Sequence, residues 1–488
     1  MPPLLASRLP RAVFPSLGFV VVFAGLTQLV PLGVAFFEDG SDLRAFMSSA
    51  ALSVAIGLGV LALYGRRRAD LRHRDAIVVV VASWLVMSVL CALPYAFTGT
   101  LGPLDALFES ISGLTTTGAS VIADVESLPA GLLFWRSLTH WIGGMGILLL
   151  AVAILPLLGS ATYPLLRTES PSLGEERIYP RLAETARALF GIYVLLTAAQ
   201  TALLLLGGMS LFDALAHSFA SVATGGFSTK SASVGAYGSL YIEIVCILFM
   251  FFGSLPFGVH FRGLRSPRAY LESTQTRVHT TILLFASLTV AVDLWAKGVY
   301  AGLGESVRHA TFQVTTLMTT TGFATANSET WTPYARIVLV AVMFLGGCTG
   351  STSGGIKTYR FVVLSKVVRR NLLHLRHPTA VRPIRIGHQS IDERAVTSAG
   401  VFFLLHLGVA GLGTVALMAF GTDLGTAFTA AAATLGGVGP GLGDVGPYDN
   451  YAWMPDGAKA VCIGLMLLGR LEITICGILF LPEFWRTG

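Results

Sequence analysis

Four segments of this chain repeat one pattern that few folds can accommodate. Each is an amphipathic stretch of about a dozen residues followed by small and hydroxylated residues around a glycine. They read "DALFESISGLTTTGAS" (105–120), "DALAHSFASVATGGFS" (213–228), "HATFQVTTLMTTTGFA" (309–324) and "TAFTAAAATLGGVGPG" (426–441). Aligned on Gly118, Gly226, Gly322 and Gly439, their centres lie 108, 96 and 117 residues apart. Spacing this regular marks a repeated structural unit.

The repeats sit between long apolar runs such as "AIVVVVASWLVMSVLCALPYAF" (76–97) and "YVLLTAAQTALLLLGG" (193–208). Only 12% of residues are charged, against about 25% in soluble domains. At ~20 apolar residues per span, about ten spans fit the chain. The expected class is therefore an all-α polytopic membrane protein. The longest polar stretch, about 370–394, is too short to bury a soluble core. The apolar segment 13–37 reads as a span and not as a cleavable signal.

Charge placement gives a topology. Of the 33 Lys and Arg residues, 25 fall on alternate connections: Arg8 and Arg11, 66–74, 160–187, 260–277, 357–394 and Arg486. The positive-inside rule makes those connections and both termini cytoplasmic. Once placed there, the net charge of +6 no longer suggests nucleic acid. The opposite connections are acidic, from Glu38, Asp42, Asp105, Glu109, Asp124, Glu126 and Asp213 to Glu329, Asp444 and Asp449. They suit either ordinary solvated loops or a vestibule that concentrates cations by its field. The five cysteines lie in or beside apolar segments without metal-ligand spacing, so neither a disulfide nor zinc is expected.

All four glycine segments fall on the predicted outer side. A helix of about ten residues cannot cross a bilayer, so each must enter and return, with its non-helical end buried in protein or lining water. Four such loops around one axis would form a ring of backbone carbonyls, the device that replaces a potassium ion's hydration shell. The short helices would aim their negative C-terminal ends at a cation. Ordinary extracellular turns are the alternative, and four copies on one side, each between two spans, count against it.

A second feature is "GGCTGSTSGGIKTYR" (346–360), lying where a span should continue. Gly350 and Gly355 precede Lys357-Thr358, but Ile356 spoils the phosphate-loop spacing and no strand–helix frame surrounds it. Glycine lowers helix propensity by ~1 kcal/mol per residue, so Gly346, Gly347, Gly350, Gly354 and Gly355 favour a loop, with Lys357 at its cytoplasmic rim. "GGVGPGLGDVG" (436–446) likewise lacks the setting of a dinucleotide site. With no catalytic constellation present, an enzyme is not expected. Arg470, midway along the last apolar run, costs at least ~2.5–3.5 kcal/mol there unless it faces water or a partner; Glu472 is one candidate. Arg136 and His140 read as packing or hydrogen-bonding residues.

Over roughly 75–488 the chain resembles the TrkH branch of the TrkH/KtrB/HKT superfamily of potassium transporters. The segments that carry the resemblance are "WRSLTHWIGGMGILLLAVAILPLLG" (135–159), "ATGGFSTK" (223–230), "GGCTGSTSGGIKTYR" (346–360), "GPGLGDVGPYDNY" (439–451) and "LMLLGRLEI" (465–473). The resemblance implies two extra N-terminal spans (1–74) and four span–pore helix–span repeats (75–183, 184–277, 278–394 and 395–488) in pseudo-fourfold arrangement. It implies filter residues Thr116, Thr117, Gly118, Thr224, Gly225, Gly226, Thr320, Thr321, Gly322, Gly437, Val438 and Gly439, whose carbonyls take potassium, the transported ion; no other cofactor is implied. Gly118 implies preference for potassium and rubidium, since sodium-carrying plant relatives have Ser there. Gly346, Gly347, Cys348, Thr349, Gly350, Ser351, Thr352, Ser353, Gly354 and Gly355 would form an intramembrane gate opposed by Arg470.

The implied partners are a second copy of the chain, membrane lipids and a cytosolic nucleotide-binding (TrkA-like, RCK-type) regulatory ring, with the bacterial inner membrane as location. The basic segment 366–394 could dock that ring or bind anionic lipid headgroups. Lys230, four residues past Gly226, places a positive charge near the mouth, where it snorkels outward or reduces cation entry. A proton- or sodium-coupled symporter with the same filter remains the alternative mechanism. The parallel topology of the repeats favours a channel-like path over the inverted repeats common in secondary transporters.

Overall fold

The computed structural model describes residues 13–38, 40–65, 73–157, 182–376, 383–387 and 389–486. The basic connections that hold Arg8 and Arg11, Arg66 to Arg72, Arg167 to Arg181 and Arg382 lie outside them. The chain is predominantly helical. Helices α1 (Val13–Thr27), α2 (Leu29–Phe37) and α3 (Leu43–Tyr64) come first. The first repeat follows as α4 (His73–Phe97), short α5 (Pro103–Leu114) and α6 (Ala130–Leu157). The second is α7 (Leu182–Leu206), short α8 (Leu211–Val222), α9 (Leu240–Ser254) and α10 (Phe257–Gly263). Next come α11 (Arg268–Glu272) and the third repeat, α12 (Thr274–Ala296), short α13 (Leu303–Met318), α14 (Pro333–Met343) and α15 (Thr358–Arg376). The fourth is α16 (Glu393–Ala419), short α17 (Leu424–Gly436), α18 (Asp456–Arg470), α19 (Ile473–Ile478) and α20 (Pro482–Arg486).

The short helices have clear local starts. Pro103 occupies the first turn of α5, where a missing N–H costs nothing. Ser210 caps α8 by accepting from the Asp213 N–H, and Asp423 caps α17 by accepting from the Gly425 and Thr426 N–H groups.

Among the described residues, six helical segments are long and apolar enough to cross a membrane (α1 with α2, α3, α4, α7, α12 and α16), and α9 with α10 passes the same test as a pair bent by 107°. The sequence suggested about ten spans. The difference lies in the helix after each short helix, none of which is among the six: α9, α14 and α18 stop at Ser254, Met343 and Arg470. Pro256 prevents α9 from continuing. Glycines end α14, and α18 ends two residues before Glu472, whose φ is +63°.

The repeats close on themselves. Each short helix packs against the second helix of the preceding repeat: α8 on α6, α13 on α9, α17 on α14, and α5 on α18. The cores interlock in the same order. The second repeat's cluster takes in Phe312 and Phe323, the third's takes in Ala433 and Val438, and the fourth's takes in Phe108 and Ile111 of the first. The outward faces expose large apolar side chains such as Phe285, Leu288, Leu404 and Leu412. Patches of that extent suit lipid and not water. Between α15 and α16, β1 (Arg385–Ile386) pairs antiparallel with β2 (Gln389–Ser390), and Ile384 packs with Tyr359, Val363 and Val396.

Candidate functional site: a ring of glycine turns

The four short helices end alike. In each, the second residue before the aligned glycine is left-handed: Thr116 (φ +54°), Thr224 (+55°), Thr320 (+57°) and Gly437 (+68°). The next N–H reaches back five residues, from Thr117 to Ser112 O (2.9 Å), Gly225 to Ala220 O (2.8 Å), Thr321 to Thr316 O (2.8 Å) and Val438 to Ala433 O (2.8 Å). This is a Schellman ending, normally built on glycine. Threonine in that conformation costs about 1–2 kcal/mol. Of five described non-glycine residues with positive φ, three are these threonines. Strain repeated at equivalent positions marks a functional segment.

The aligned glycines are left-handed too, at φ +79° (Gly118), +86° (Gly226), +89° (Gly322) and +92° (Gly439). A methyl group on Gly118 would collide with the Gly225 carbonyl oxygen, one on Gly226 with that of Thr321, one on Gly322 with that of Val438, and one on Gly439 with that of Thr117. Each glycine thus abuts the carbonyl just before the next repeat's glycine, and the fourth returns to the first. The circuit is closed. All four glycines line one cavity, together with Lys230, Asp449 and Tyr451.

Buried backbone groups are normally hydrogen-bonded. The residues Thr116–Gly118, Thr224–Gly226, Thr320–Gly322 and Gly437–Gly439 are buried or half-buried. Yet among their carbonyls only that of Gly439 accepts a hydrogen bond from a described residue. The others form a set of oxygen ligands without donors. Such a set, at the negative ends of four short helices, can replace the hydration shell of a bare cation.

A buried polar network braces the first two turns. Glu109 on α5 and Arg136 on α6, 0% and 2% exposed, pair at 2.8 Å. Glu109 also accepts from Ser120 Oγ (3.0 Å) and the Val121 N–H (3.1 Å). Arg136 donates to Ser228 O (3.2 Å) and Ser120 Oγ (3.1 Å), and its guanidinium lies 4.1 Å from the Phe227 ring centre. His140 Nε2 accepts from the Phe227 N–H (3.1 Å), which leaves Nδ1–H to donate to Gly113 O (2.7 Å). Glu109 is therefore no vestibule charge. Other outer acids are engaged as well: Asp42 accepts from the Leu132 N–H, Asp105 pairs with Lys459 at 2.7 Å, and Asp213 accepts from Thr229. Arg136→Met strands a buried carboxylate, for which the cost is about 3–5 kcal/mol. A lower thermal unfolding midpoint of the detergent-solubilised protein is expected, and an unchanged midpoint would show the network to be dispensable.

Lys230 forms an ion pair with Glu126 at 3.1 Å, and both side chains are partly exposed, 38% and 51%. It therefore lines the cavity with its charge opposed by Glu126 and does not stand there as a lone cation.

Below the ring, the segment from Phe344 to Lys357 is non-helical except for a bridge between Leu345 and Ile356. Its framework is the Gly346 N–H on Ile356 O (2.9 Å), the Cys348 N–H on Ser254 O (2.8 Å) and Ser351 Oγ on Cys348 O (2.6 Å). The Thr349 N–H donates to Gln275 Oε1 (2.9 Å), the Phe257 N–H to Gly350 O (2.9 Å), and the Thr358 N–H to Gly347 O (3.1 Å). The loop then touches the ends of three short helices. Thr352 Oγ1 donates to Val222 O (2.9 Å), Ser353 Oγ to Thr319 O (2.8 Å), and the Gly354 N–H to Thr320 Oγ1 (2.7 Å). Gly354 also lies against the Gly436 carbonyl, where a Cβ would collide with it.

Arg470 joins the fourth repeat to this loop. Its guanidinium donates to Thr352 O (2.8 Å) and to Gly143 O on α6 (3.2 Å). Glu472 instead pairs with Arg360 at 3.5 Å. Lys357 Nζ folds back onto Ser353 O, so its charge is engaged by the loop's own carbonyl.

Comparison with known proteins agrees with this architecture. The TrkH family of cation transport proteins matches residues 43–486. The chain is 39% identical to the Trk system potassium uptake protein TrkH of Halomonas elongata and 38% identical to that of Escherichia coli K12. Each alignment covers 98% of this chain and 99% of the relative. The crystal structure of the potassium transporter TrkH from Vibrio parahaemolyticus superposes with a TM-score of 0.90 at 35% identity, over 98% of this chain and 99% of that one. Interlocked short helices, a closed glycine ring and near full-length identity lead to one conclusion: this integral membrane protein belongs to the TrkH family, a family of transporters and not of enzymes.

Proposed function

We propose that this chain takes up potassium and rubidium, in preference to sodium, across the bacterial inner membrane through a channel-like path. Thr116–Gly118, Thr224–Gly226, Thr320–Gly322 and Gly437–Gly439 form its filter. The residues Gly346–Gly355 form its gate, held by Arg470. The observation that carries this reading is the closed ring, in which each glycine abuts the carbonyl before the next. The names of the relatives, potassium uptake proteins of the Trk system, give the substrate class.

A dehydrated potassium ion exchanges water for donor-free carbonyls that are already oriented, so little reorganisation accompanies entry. The absence of a Cβ at the glycines lets the four turns approach one another. Beneath them, the loop hydrogen-bonds to the ends of α8 and α13, lies against that of α17, and takes the Arg470 guanidinium on its Thr352 carbonyl. A fixed positive charge there opposes a cation leaving the ring. Withdrawal of the loop would open the path without disturbing the filter.

The same reading includes ten spans with both termini cytoplasmic, a homodimer, and a cytosolic nucleotide-binding ring docked on the basic segment 366–394. The test is the reversal potential of the purified protein in liposomes. It is expected to follow the potassium gradient and to ignore an imposed proton or sodium gradient. A reversal potential that moves with protons or sodium would establish coupled transport instead.

A further inference from the structure

The ring is fourfold in backbone conformation but not in hydrogen bonding. Tyr451 Oη donates to Gly439 O at 2.8 Å, whereas no described residue donates to the carbonyl of Gly118, Gly226 or Gly322. The tyrosine is held from two sides. Its N–H donates to Ser120 O (2.8 Å) in the strand of chain leaving the first turn, and its ring lies 5.6 Å from that of Phe108 on α5. It is 2% exposed, and among the described residues its hydroxyl's partner is Gly439 O. The first and fourth repeats are thereby tied together at the glycine level, where Gly439 already abuts Thr117 O.

We infer that Tyr451 is a positioning residue that sets the cation affinity of the outermost filter position by withholding one of its four carbonyls. An oxygen that accepts a phenolic hydrogen bond offers less electron density to a cation and cannot swing toward it. The outermost position then presents three free carbonyls and one engaged one. A weaker first site suits a conduction path, since binding must favour entry without trapping the ion. This inference rests on the filter assignment above.

Tyr451→Phe keeps the ring packed on Phe108 and removes only the donor. The apparent KM for rubidium uptake in cells or liposomes is expected to fall about threefold, with Vmax altered less than twofold and the potassium-to-sodium ratio reduced. Replacing Tyr451 by 3,5-difluorotyrosine, which retains the shape and strengthens the donor, should move KM in the opposite direction. An unchanged or raised KM in Tyr451→Phe, or the same shift in both variants, overturns the inference. If Gly118→Ser alters selectivity while both Tyr451 variants behave like wild type, the filter assignment stands and only the role of Tyr451 falls. If neither position affects selectivity, the filter assignment itself fails.

Discussion

Gly118→Ser is expected to lower potassium-over-sodium discrimination about tenfold, a loss of ~1.4 kcal/mol, while the protein still accumulates in the membrane. Gly118 has φ +79°, and its Cβ would strike the Gly225 carbonyl oxygen. That carbonyl has no free retreat, because the Gly225 Cα itself abuts the His140 ring, which the Phe227 N–H and Gly113 O hold in place. The first and second turns must therefore separate. A wider ring no longer replaces the whole hydration shell, and partly hydrated potassium and sodium ions are discriminated less. Gly411→Ser is the matched control, since a Cβ at Gly411 meets nothing within 4 Å. Paired rubidium and sodium flux assays decide the matter; a wild-type ratio in Gly118→Ser, in protein present at normal levels, would remove the glycine ring from selectivity.

The second large effect concerns the loop. Deleting Thr349–Ser353 removes the contacts to Val222, Thr319 and Gly253 together with the Thr352 carbonyl that Arg470 holds. Basal potassium flux is expected to rise by an order of magnitude or more. Arg470→Ala should raise it less, because the loop keeps its own anchors. Hydrogen bonds to charged groups contribute about 1.5–3 kcal/mol each, enough for a roughly tenfold shift in a closed–open equilibrium. Because the two changes remove one shared contact, they should not be additive. The double variant is expected to conduct like the deletion alone. A deletion that folds and conducts like wild type, or fully additive effects, would assign the gate elsewhere.

Legibility in the sequence followed the physics of each feature. Glycines that must adopt positive φ cannot be replaced cheaply, so the four ring positions and the 346–355 loop stood out by residue type alone. The short helices were equally visible, because a dozen amphipathic residues cannot span a bilayer. The bracing network was not visible. Glu109 and Arg136 lie 27 residues apart on different helices, and an acid on an outer connection resembles any solvated charge until its burial is known. Tyr451 was hidden for the same reason: its partner is a backbone oxygen, which leaves no mark in the sequence. The break in α9 did carry a signal, Pro256, but the surrounding run "CILFMFFGSLPFGVHF" reads as one apolar segment. Arg470 was recognisable as costly, but a carboxylate partner was as reasonable from sequence as the two backbone carbonyls it holds. In the folded chain Glu472 pairs with Arg360 instead.

The central claim is that backbone carbonyls of the four turns bind the transported ion, and rubidium makes this directly visible. Anomalous diffraction from crystals of the protein grown in rubidium should place the ion on the ring axis, within coordinating distance of the carbonyls of Thr117, Gly225, Thr321 and Val438. Rubidium bound elsewhere in the protein, with none inside the ring, would contradict it.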